Sequence, residues 1–187
     1  ITESGQHILD EGEIVEWNNA EDKIKSIYFV DEHGNMDYPN LNQKSIDAIE
    51  AADIIIFSSG TQWSSLIPTY VSSGPKFRTL IEKAKAEKFI VINNKQDGDM
   101  KGFDANYMLE VLFDFIPLDS ITKIFNVNAD SEMKMKTIKN QEKCFEFIIS
   151  PESSLDKPLA NRIHLPAIAV CIMGLYYEKF MNNEKII

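Results

Sequence analysis

Small polar residues follow a short apolar run in the first half of the chain. The run is Ile54–Phe57, and an apolar run of strand length with β-branched residues predicts a strand buried on both faces, as in a parallel sheet. The residues after it are Ser58, Ser59, Gly60, Thr61, Trp63, Ser64 and Ser65. At the carboxyl end of such a strand, backbone N–H groups, hydroxyls and the next helix N-terminus can face a phosphate. This stretch is therefore a candidate anion site, unless it is only a polar strand–helix connection.

Trp63 and two further residues, Asn93 and Asn94, could complete such a site. Trp63 could stack on a base or sugar, or it could pack against a neighbouring helix. Asn93 and Asn94 end a second predicted strand, so their side chains are expected in the same crevice, where they could bind sugar hydroxyls. Both asparagines could instead form a strand-end turn.

Two carboxylates offer a candidate metal site. Asp97 and Asp99 flank Gly98, and paired carboxylates could hold Mg²⁺ beside a diphosphate. The other interpretation is that both are solvated loop charges. We find no nucleophile elbow, no Walker A motif and no Rossmann glycine motif, so no catalytic residue is predicted.

The surrounding pattern predicts the elements that would position these residues. We expect short strands over residues 14–17 and 23–30, and a helix capped by Asn42 that runs to Ala51. A helix beginning at Pro75, a strand over 88–92, a helix over 103–116, strands over 121–127 and 144–149, and a helix over 166–181 follow. This alternation predicts an α/β fold: a mainly parallel sheet in a three-layer α/β/α sandwich, within one domain over residues 1–187.

Composition limits the kind of partner. The chain has 187 residues, a formal net charge of −10 and a pI of about 4.8, which disfavours nucleic acid and anionic membrane surfaces as partners. Cys144 and Cys171 lie far apart and are expected to be free thiols in a reducing compartment. With no signal peptide and no apolar run of membrane-spanning length, we expect a cytoplasmic protein. The absence of an initial Met suggests a processed or trimmed start.

The stretch from Ala52 to Thr69 resembles a known signature. In the bacterial gluconeogenesis-factor branch of the 2-phospho-L-lactate transferase (CofD)-like superfamily, this segment reads AD, an apolar run, then GPGSLYTSILPN. Gly60, Ser65 and Pro68 match that pattern directly. The loop Gln96–Gly102 is similar to the family's Q-x-G-E-T-x-G loop, and Gly12-Glu13 resembles its GE-x-I segment.

Several positions depart from the family pattern. Ser58 and Ser59 replace Gly-Pro, Met100 replaces Thr, and Tyr107-Met108 falls where an Asp-His pair is common. The family's N-terminal half, with a glycine-rich loop and acidic residues near the phosphates, has no counterpart. The resemblance therefore implies that the chain is the C-terminal portion of a longer CofD-like domain, or that its site is incomplete.

The resemblance implies three alternative functions. The first is binding of a nucleotide diphosphate ligand such as a nucleotide sugar, as a regulatory protein of carbon or cell-wall metabolism. The second is a Mg²⁺-dependent transferase that moves a phospholactyl-type group from a nucleotide diphosphate carrier to a deazaflavin acceptor. The third is a degenerate scaffold domain without a ligand. The resemblance also suggests a homodimer.

Overall fold

The computed structural model of the chain describes residues 1–17, 19, 21–127, 133, 143–147 and 165–184. Its helices are α1 (Glu11–Glu16), α2 (Gln43–Ala51), α3 (Ile67–Val71), α4 (Pro75–Lys83), α5 (Ala105–Phe115) and α6 (Leu165–Glu184). Its strands are β1 (Phe29–Val30), β2 (Met36–Asp37), β3 (Ile54–Phe57), β4 (Glu87–Val91), β5 (Lys123–Val127) and β6 (Cys144–Phe147). A wide helical turn, Gln62–Leu66, leads directly into α3. Short 3₁₀ turns cover Gly98–Met100 and Leu118–Ser120.

A parallel sheet of four strands organises the described part of the chain. The strands lie in the order β3-β4-β5-β6, and each of the three neighbouring pairs is parallel. Helices connect β3 to β4 and β4 to β5. The parallel α/β arrangement predicted from the helix–strand alternation is confirmed. Residues 148 and 149 of the predicted fourth strand lie outside the described residues.

Two apolar clusters pack on opposite faces of the sheet. On one face, Ile90 and Ile92 contact a core that includes Leu109 and Leu112 of α5. On the other, Phe89 and Val91 pack with Ile168 and Ile172 of α6. Successive residues of β4 alternate between the two clusters, as the strand period requires. This double burial explains why β4 is apolar on both faces.

β3 differs from its prediction at one position. The strand forms, but it lies at one end of the four-strand order, and Ile56 is 50 % exposed. Ile54 packs against the α6 cluster, whereas Ile55 and Phe57 join the opposite one. The expectation that the run is buried on both faces is therefore wrong for Ile56, because the α6 cluster on that face contacts Ile54 but does not include Ile56.

Local signals account well for where the helices begin. Asn42 caps α2, and its side-chain oxygen accepts a hydrogen bond from the Lys44 N–H at 2.9 Å. Pro75 takes the first position of α4, directly after Gly74 at φ +59°. Asp104 caps α5 by accepting from the Tyr107 N–H at 3.1 Å.

The strand predicted over residues 14–17 does not form, and only the end of the strand predicted over residues 23–30 does. Residues 11–16 form helix α1 instead, because Asp10 caps it by accepting from the Glu13 N–H at 2.9 Å. The Glu13 carboxylate in turn accepts from the Leu9 N–H at 3.0 Å. An Asp followed three residues later by Glu is a helix-start signal, and it outweighs the β-branched residues at positions 14 and 15. Of residues 23–30, Phe29 and Val30 pair with β2, and Ile24 forms a single bridge with Thr2.

Within the described residues, no helix has both the length and the apolar character needed to cross a membrane.

Candidate functional site

The loops that follow β3 and β4 meet at one edge of the sheet. Phe57 at the end of β3 lies beside Ile90 of β4, so both strands deliver their next residues to the same crevice. The Asn93 amide joins the loops: its Nδ2 donates to the Gly60 carbonyl at 2.9 Å and to the Asp97 carboxylate. The structure therefore brings together the Ser58–Thr61 loop, Asn93 and Asp97.

Asp99 holds the start of the helix that follows this loop. Its side chain is 2 % exposed, and its Oδ2 accepts hydrogen bonds from the Trp63 N–H at 2.8 Å and from the Ser64 N–H at 2.9 Å. A helix N-terminus attracts negative charge because its first N–H groups lack partners within the helix. Here the protein supplies that charge itself, so a ligand phosphate cannot use these two N–H groups while Asp99 is in place.

The exposed part of the crevice is the loop that precedes this helix. Ser58 is exposed, and Ser59, Gly60 and Thr61 are half-buried. Their hydroxyls and backbone N–H groups are the polar groups that remain for an anionic ligand. The Ser64 hydroxyl is buried and has no hydrogen-bond partner among the described residues.

Trp63 lies in the core. Its side chain is 2 % exposed and belongs to the apolar cluster on the α5 face of the sheet. Of the two alternatives considered for this ring, packing is therefore the one observed. We do not include Trp63 among the residues that would contact a ligand through their side chains.

Asn94 and Ser65 are placed differently from Asn93. The Asn94 side chain is 8 % exposed, so it is largely enclosed at the end of β4. Ser65 is exposed in the helical turn, where its carbonyl accepts from the Thr69 hydroxyl at 3.0 Å. Neither position resembles that of Asn93, which contacts both loops.

Asp97 and Asp99 do not make a metal site by themselves. Within the described residues, no group of three or more His, Cys, Asp or Glu side chains is arranged to hold a metal ion. One oxygen of Asp99 is committed to two N–H groups, and Asp97 accepts from the Asn93 amide. A cation at this edge would need oxygens from a ligand, so we derive no chemistry from a resident metal.

The environment of Asp97 favours its protonated form. Partial burial, with a smaller contribution from the negative charge of Asp99, raises the pKa of Asp97 to about 6. A carboxyl whose pKa is higher in the folded than in the unfolded protein stabilises the fold at low pH. That contribution is complete below the unfolded pKa, near 3.8, and is lost as the pH rises through about 6.

Asp97→Asn should therefore stabilise the protein at neutral pH and change little near pH 4. The amide keeps an oxygen for the Asn93 hydrogen bond and cannot ionise beside Asp99. The measurement is the difference in Tm between variant and wild type across pH 4 to 8, which should grow through pH 6. Asp53→Asn, at an exposed position, is the matched control. A difference that is flat with pH, or that shrinks above pH 6, would contradict the stated titration of Asp97.

Two features of this edge were not predicted from the sequence. One is the role of Asp99 as a helix cap, which joins residues 36 positions apart. The other is the position of α1 beside the Gly98–Met100 turn, where a Cβ added at Gly98 would lie 3.3 Å from the Val15 side chain. The Asp10–Glu13 spacing was a usable signal for α1 itself, but no local pattern reveals what α1 packs against.

A protein-family model and two relatives match this chain over much of its length. A sequence model described as "2-phospho-L-lactate transferase CofD" matches residues 1–160. An uncharacterised protein of Saccharomyces cerevisiae is 25 % identical over 99 residues, which cover 53 % of this chain and 22 % of the yeast protein. A protein of Aquifex aeolicus named "Putative gluconeogenesis factor" is 25 % identical over 144 residues, covering 75 % of this chain and 42 % of that protein.

Two solved structures share the fold of this chain. Two crystal structures of a protein from Bacillus halodurans, one described as a member of the UPF0052 family, superpose with a TM-score of 0.54. The identity is 21 %, and the match covers 75 % of this chain and 40 % of theirs. The chain thus spans less than half the length of each of these relatives.

Proposed function

The chain belongs to the 2-phospho-L-lactate transferase CofD family, and from that premise we propose that it binds a nucleotide diphosphate ligand such as a nucleotide sugar at the carboxyl ends of β3 and β4. The diphosphate would lie against Ser58, Ser59, Gly60 and Thr61. Asn93, at the end of β4, would face the adjoining sugar or ribose.

The observation that carries this proposal is the hydrogen bond from Asn93 to the Gly60 carbonyl. It fixes the loop after β3 against the loop after β4, and the exposed or half-buried Ser58, Ser59 and Thr61 in that loop supply hydroxyls for the proposed contact. Preorganised N–H and hydroxyl donors bind an anion with less loss of loop entropy than a mobile loop does. Since Asp99 fills the helix N-terminus, the phosphate-binding groups are those of the loop.

Negative charge beside the loop shapes the binding conditions. Asp97 and Asp99 lie next to residues that would face a diphosphate, so Mg²⁺ chelated by the ligand should strengthen binding by reducing repulsion. The biological role we propose is that of a gluconeogenesis-factor-like protein, in line with the name of the Aquifex aeolicus relative. We further propose that it regulates carbon or cell-wall metabolism. In this proposal the chain acts as the C-terminal portion of a longer CofD-like domain and forms a homodimer.

A transferase is the second candidate, favoured by the description of the family model. It would move a phospholactyl-type group from a nucleotide diphosphate carrier to a deazaflavin acceptor. Binding would then be accompanied by turnover with Mg²⁺, whereas the regulatory proposal requires binding alone. A scaffold domain without a ligand would show neither.

The test is a thermal-shift series with inorganic pyrophosphate, nucleoside diphosphates and nucleotide sugars, each with and without Mg²⁺. A ligand that binds only the folded state at 100 times its Kd adds about 2.7 kcal/mol to the free energy of unfolding. Ser59→Asp should remove this stabilisation, because a carboxylate in the loop repels phosphate and competes for the same N–H groups. Ser45→Asp, an exposed position on α2, is the matched control and should keep it.

Two results would overturn the proposal. One is the absence of a Tm shift with every nucleotide and with pyrophosphate, which would favour a scaffold domain without a ligand. The other is a shift that Ser59→Asp leaves unchanged, which would place the ligand elsewhere.

A further inference from the structure

A cavity of about 470 Å³ lies beside Ser64, on the side of the helical turn that faces the first 30 residues. Its walls come from α1, from the residues just before α1, and from residues 24–30, with Ser64 and Pro68 closing one side. This volume falls in the range of small-molecule sites in proteins. None of the residues in the proposed diphosphate loop, 58–61, lines it.

The cavity wall is mainly apolar and contains no lysine or arginine side chain. Five half-buried or buried isoleucines line it: Ile1, Ile8, Ile14, Ile24 and Ile27. Its titratable side chains are His7, Asp10, Glu11 and Tyr28, so the side chains in it that are ionised at neutral pH are carboxylates. Such a wall is unfavourable for a phosphate and suits an uncharged group with hydrogen-bond donors.

The cavity and the diphosphate loop lie next to each other. Ser64 lines the cavity, its N–H donates to Asp99, and it follows Thr61 by less than one helical turn. A ligand with an anionic end in the loop could therefore place an uncharged end in the cavity.

We propose that this cavity receives the planar heteroaromatic ring of the ligand, a ring of nucleobase type. The proposal rests on the proposed function, since it names the subsite for the other end of the same ligand. Ring N–H or amino groups would donate to the carboxylates of Asp10 or Glu11. The ring faces would contact the isoleucine side chains.

The polar groups of the wall favour a heteroaromatic ring over an alkyl chain. The Ser64 hydroxyl has no hydrogen-bond partner among the described residues, and a change of its side-chain rotamer would direct it to a polar ring atom. An alkyl chain would fill the apolar space but leave Ser64 unpartnered and remove water from the carboxylates, at a cost in free energy. Tyr28 and Phe29 also line the cavity and can stack on a ring.

The experiment is a methyl NMR titration of the wild-type chain with adenosine and with uridine, with the isoleucine δ1 methyl groups labelled. An aromatic ring in the cavity should shift the methyl signals of Ile8, Ile14, Ile24 and Ile27 in a saturable way. Ile46, which lines a separate cavity between α2 and α4, should not shift. The absence of saturable shifts at these four isoleucines would overturn the proposal. So would an affinity for 1-hexanol, an apolar probe without a ring, equal to the affinity for the nucleosides.

A pair of matched variants locates the site. Ile27→Trp fills the cavity beside Ser64 and should weaken nucleoside binding at least about tenfold, whereas Ile46→Trp fills the other cavity and should leave binding unchanged. Retained binding in a folded Ile27→Trp variant would overturn the proposal. If that variant does not fold, the wild-type titration decides.

Inorganic pyrophosphate separates this inference from the proposed function. Its binding depends on the loop at residues 58–61 and should persist in Ile27→Trp. Nucleoside binding without pyrophosphate binding would leave the cavity subsite in place and overturn the proposed diphosphate site. Pyrophosphate binding without nucleoside binding would leave the proposed diphosphate site in place and overturn the cavity subsite.

Discussion

Asp99→Ala should lower the free energy of unfolding by about 3 kcal/mol. The substitution leaves the buried N–H groups of Trp63 and Ser64 without an acceptor, and the lost hydrogen bonds involve a charged group in a site that is 2 % exposed. It also removes a negative charge from a helix N-terminus, which adds to the loss. Chemical denaturation of wild type and variant at pH 7.5 measures the difference.

Asp104→Ala is the matched control for this prediction. Asp104 also caps a helix, through a hydrogen bond that it accepts from the Tyr107 N–H at 3.1 Å. We expect a loss of about 1 kcal/mol, the ordinary value of an N-cap. An equal or smaller loss for Asp99→Ala would mean that its two hydrogen bonds do not stabilise the helix start as described.

The same variant also tests the assignment of the helix N-terminus. Without the Asp99 carboxylate, the Trp63 and Ser64 N–H groups become an anion site. Sulfate at constant ionic strength should therefore raise the Tm of Asp99→Ala more than that of wild type or of Asp104→Ala. Equal increases in Tm with sulfate in all three proteins would contradict the conclusion that the Asp99 carboxylate occupies an anion site in the wild-type protein.

Lys88→Met should lower the free energy of unfolding by about 2 kcal/mol. The Lys88 side chain is 4 % exposed, and its Nζ donates to the carbonyls of Ala84 at 2.6 Å and Ala86 at 3.0 Å. These carbonyls lie just after α4, where backbone acceptors lack partners within the helix. Because Met fills a similar volume, the loss of stability comes from the two hydrogen bonds. It is reduced by the desolvation free energy of the buried ammonium, which is absent in the variant.

Lys85→Met separates this effect from a general change in charge. Lys85 is exposed in the turn between α4 and β4. Its replacement should change the free energy of unfolding by less than about 0.5 kcal/mol. A Lys88→Met variant as stable as wild type would show that the two hydrogen bonds stabilise the fold no more than burial of the ammonium destabilises it. Burial also lowers the pKa of Lys88.

Local patterns in the sequence determined the order of the sheet strands and of α2, α4, α5 and α6 from residue 42 onward. Asn42 has a side chain that caps a helix, Pro75 has a fixed φ that suits a first helical turn, and β4 has apolar residues on both faces. Each of these signals acts within a few residues, so it can be read without knowing the fold. The parallel sheet followed from their alternation. Residues 11–16 were misassigned although the Asp10–Glu13 capping pair was visible, the strand expected over residues 23–30 forms only at Phe29–Val30, and α3 was not predicted.

Tertiary structure alone decided what each of these elements faces. Ile56 has the same side chain as its neighbours Ile54 and Ile55, yet it is half exposed because the α6 cluster on its face contacts Ile54 and does not include Ile56. Trp63 could stack on a ligand or pack in the core, and only the position of the neighbouring helices places it inside. Asp99 could be a solvated charge or a ligand of a metal, and it became a helix cap because β4 brings its loop beside β3. These outcomes depend on contacts between residues far apart in the chain, which a local pattern does not encode.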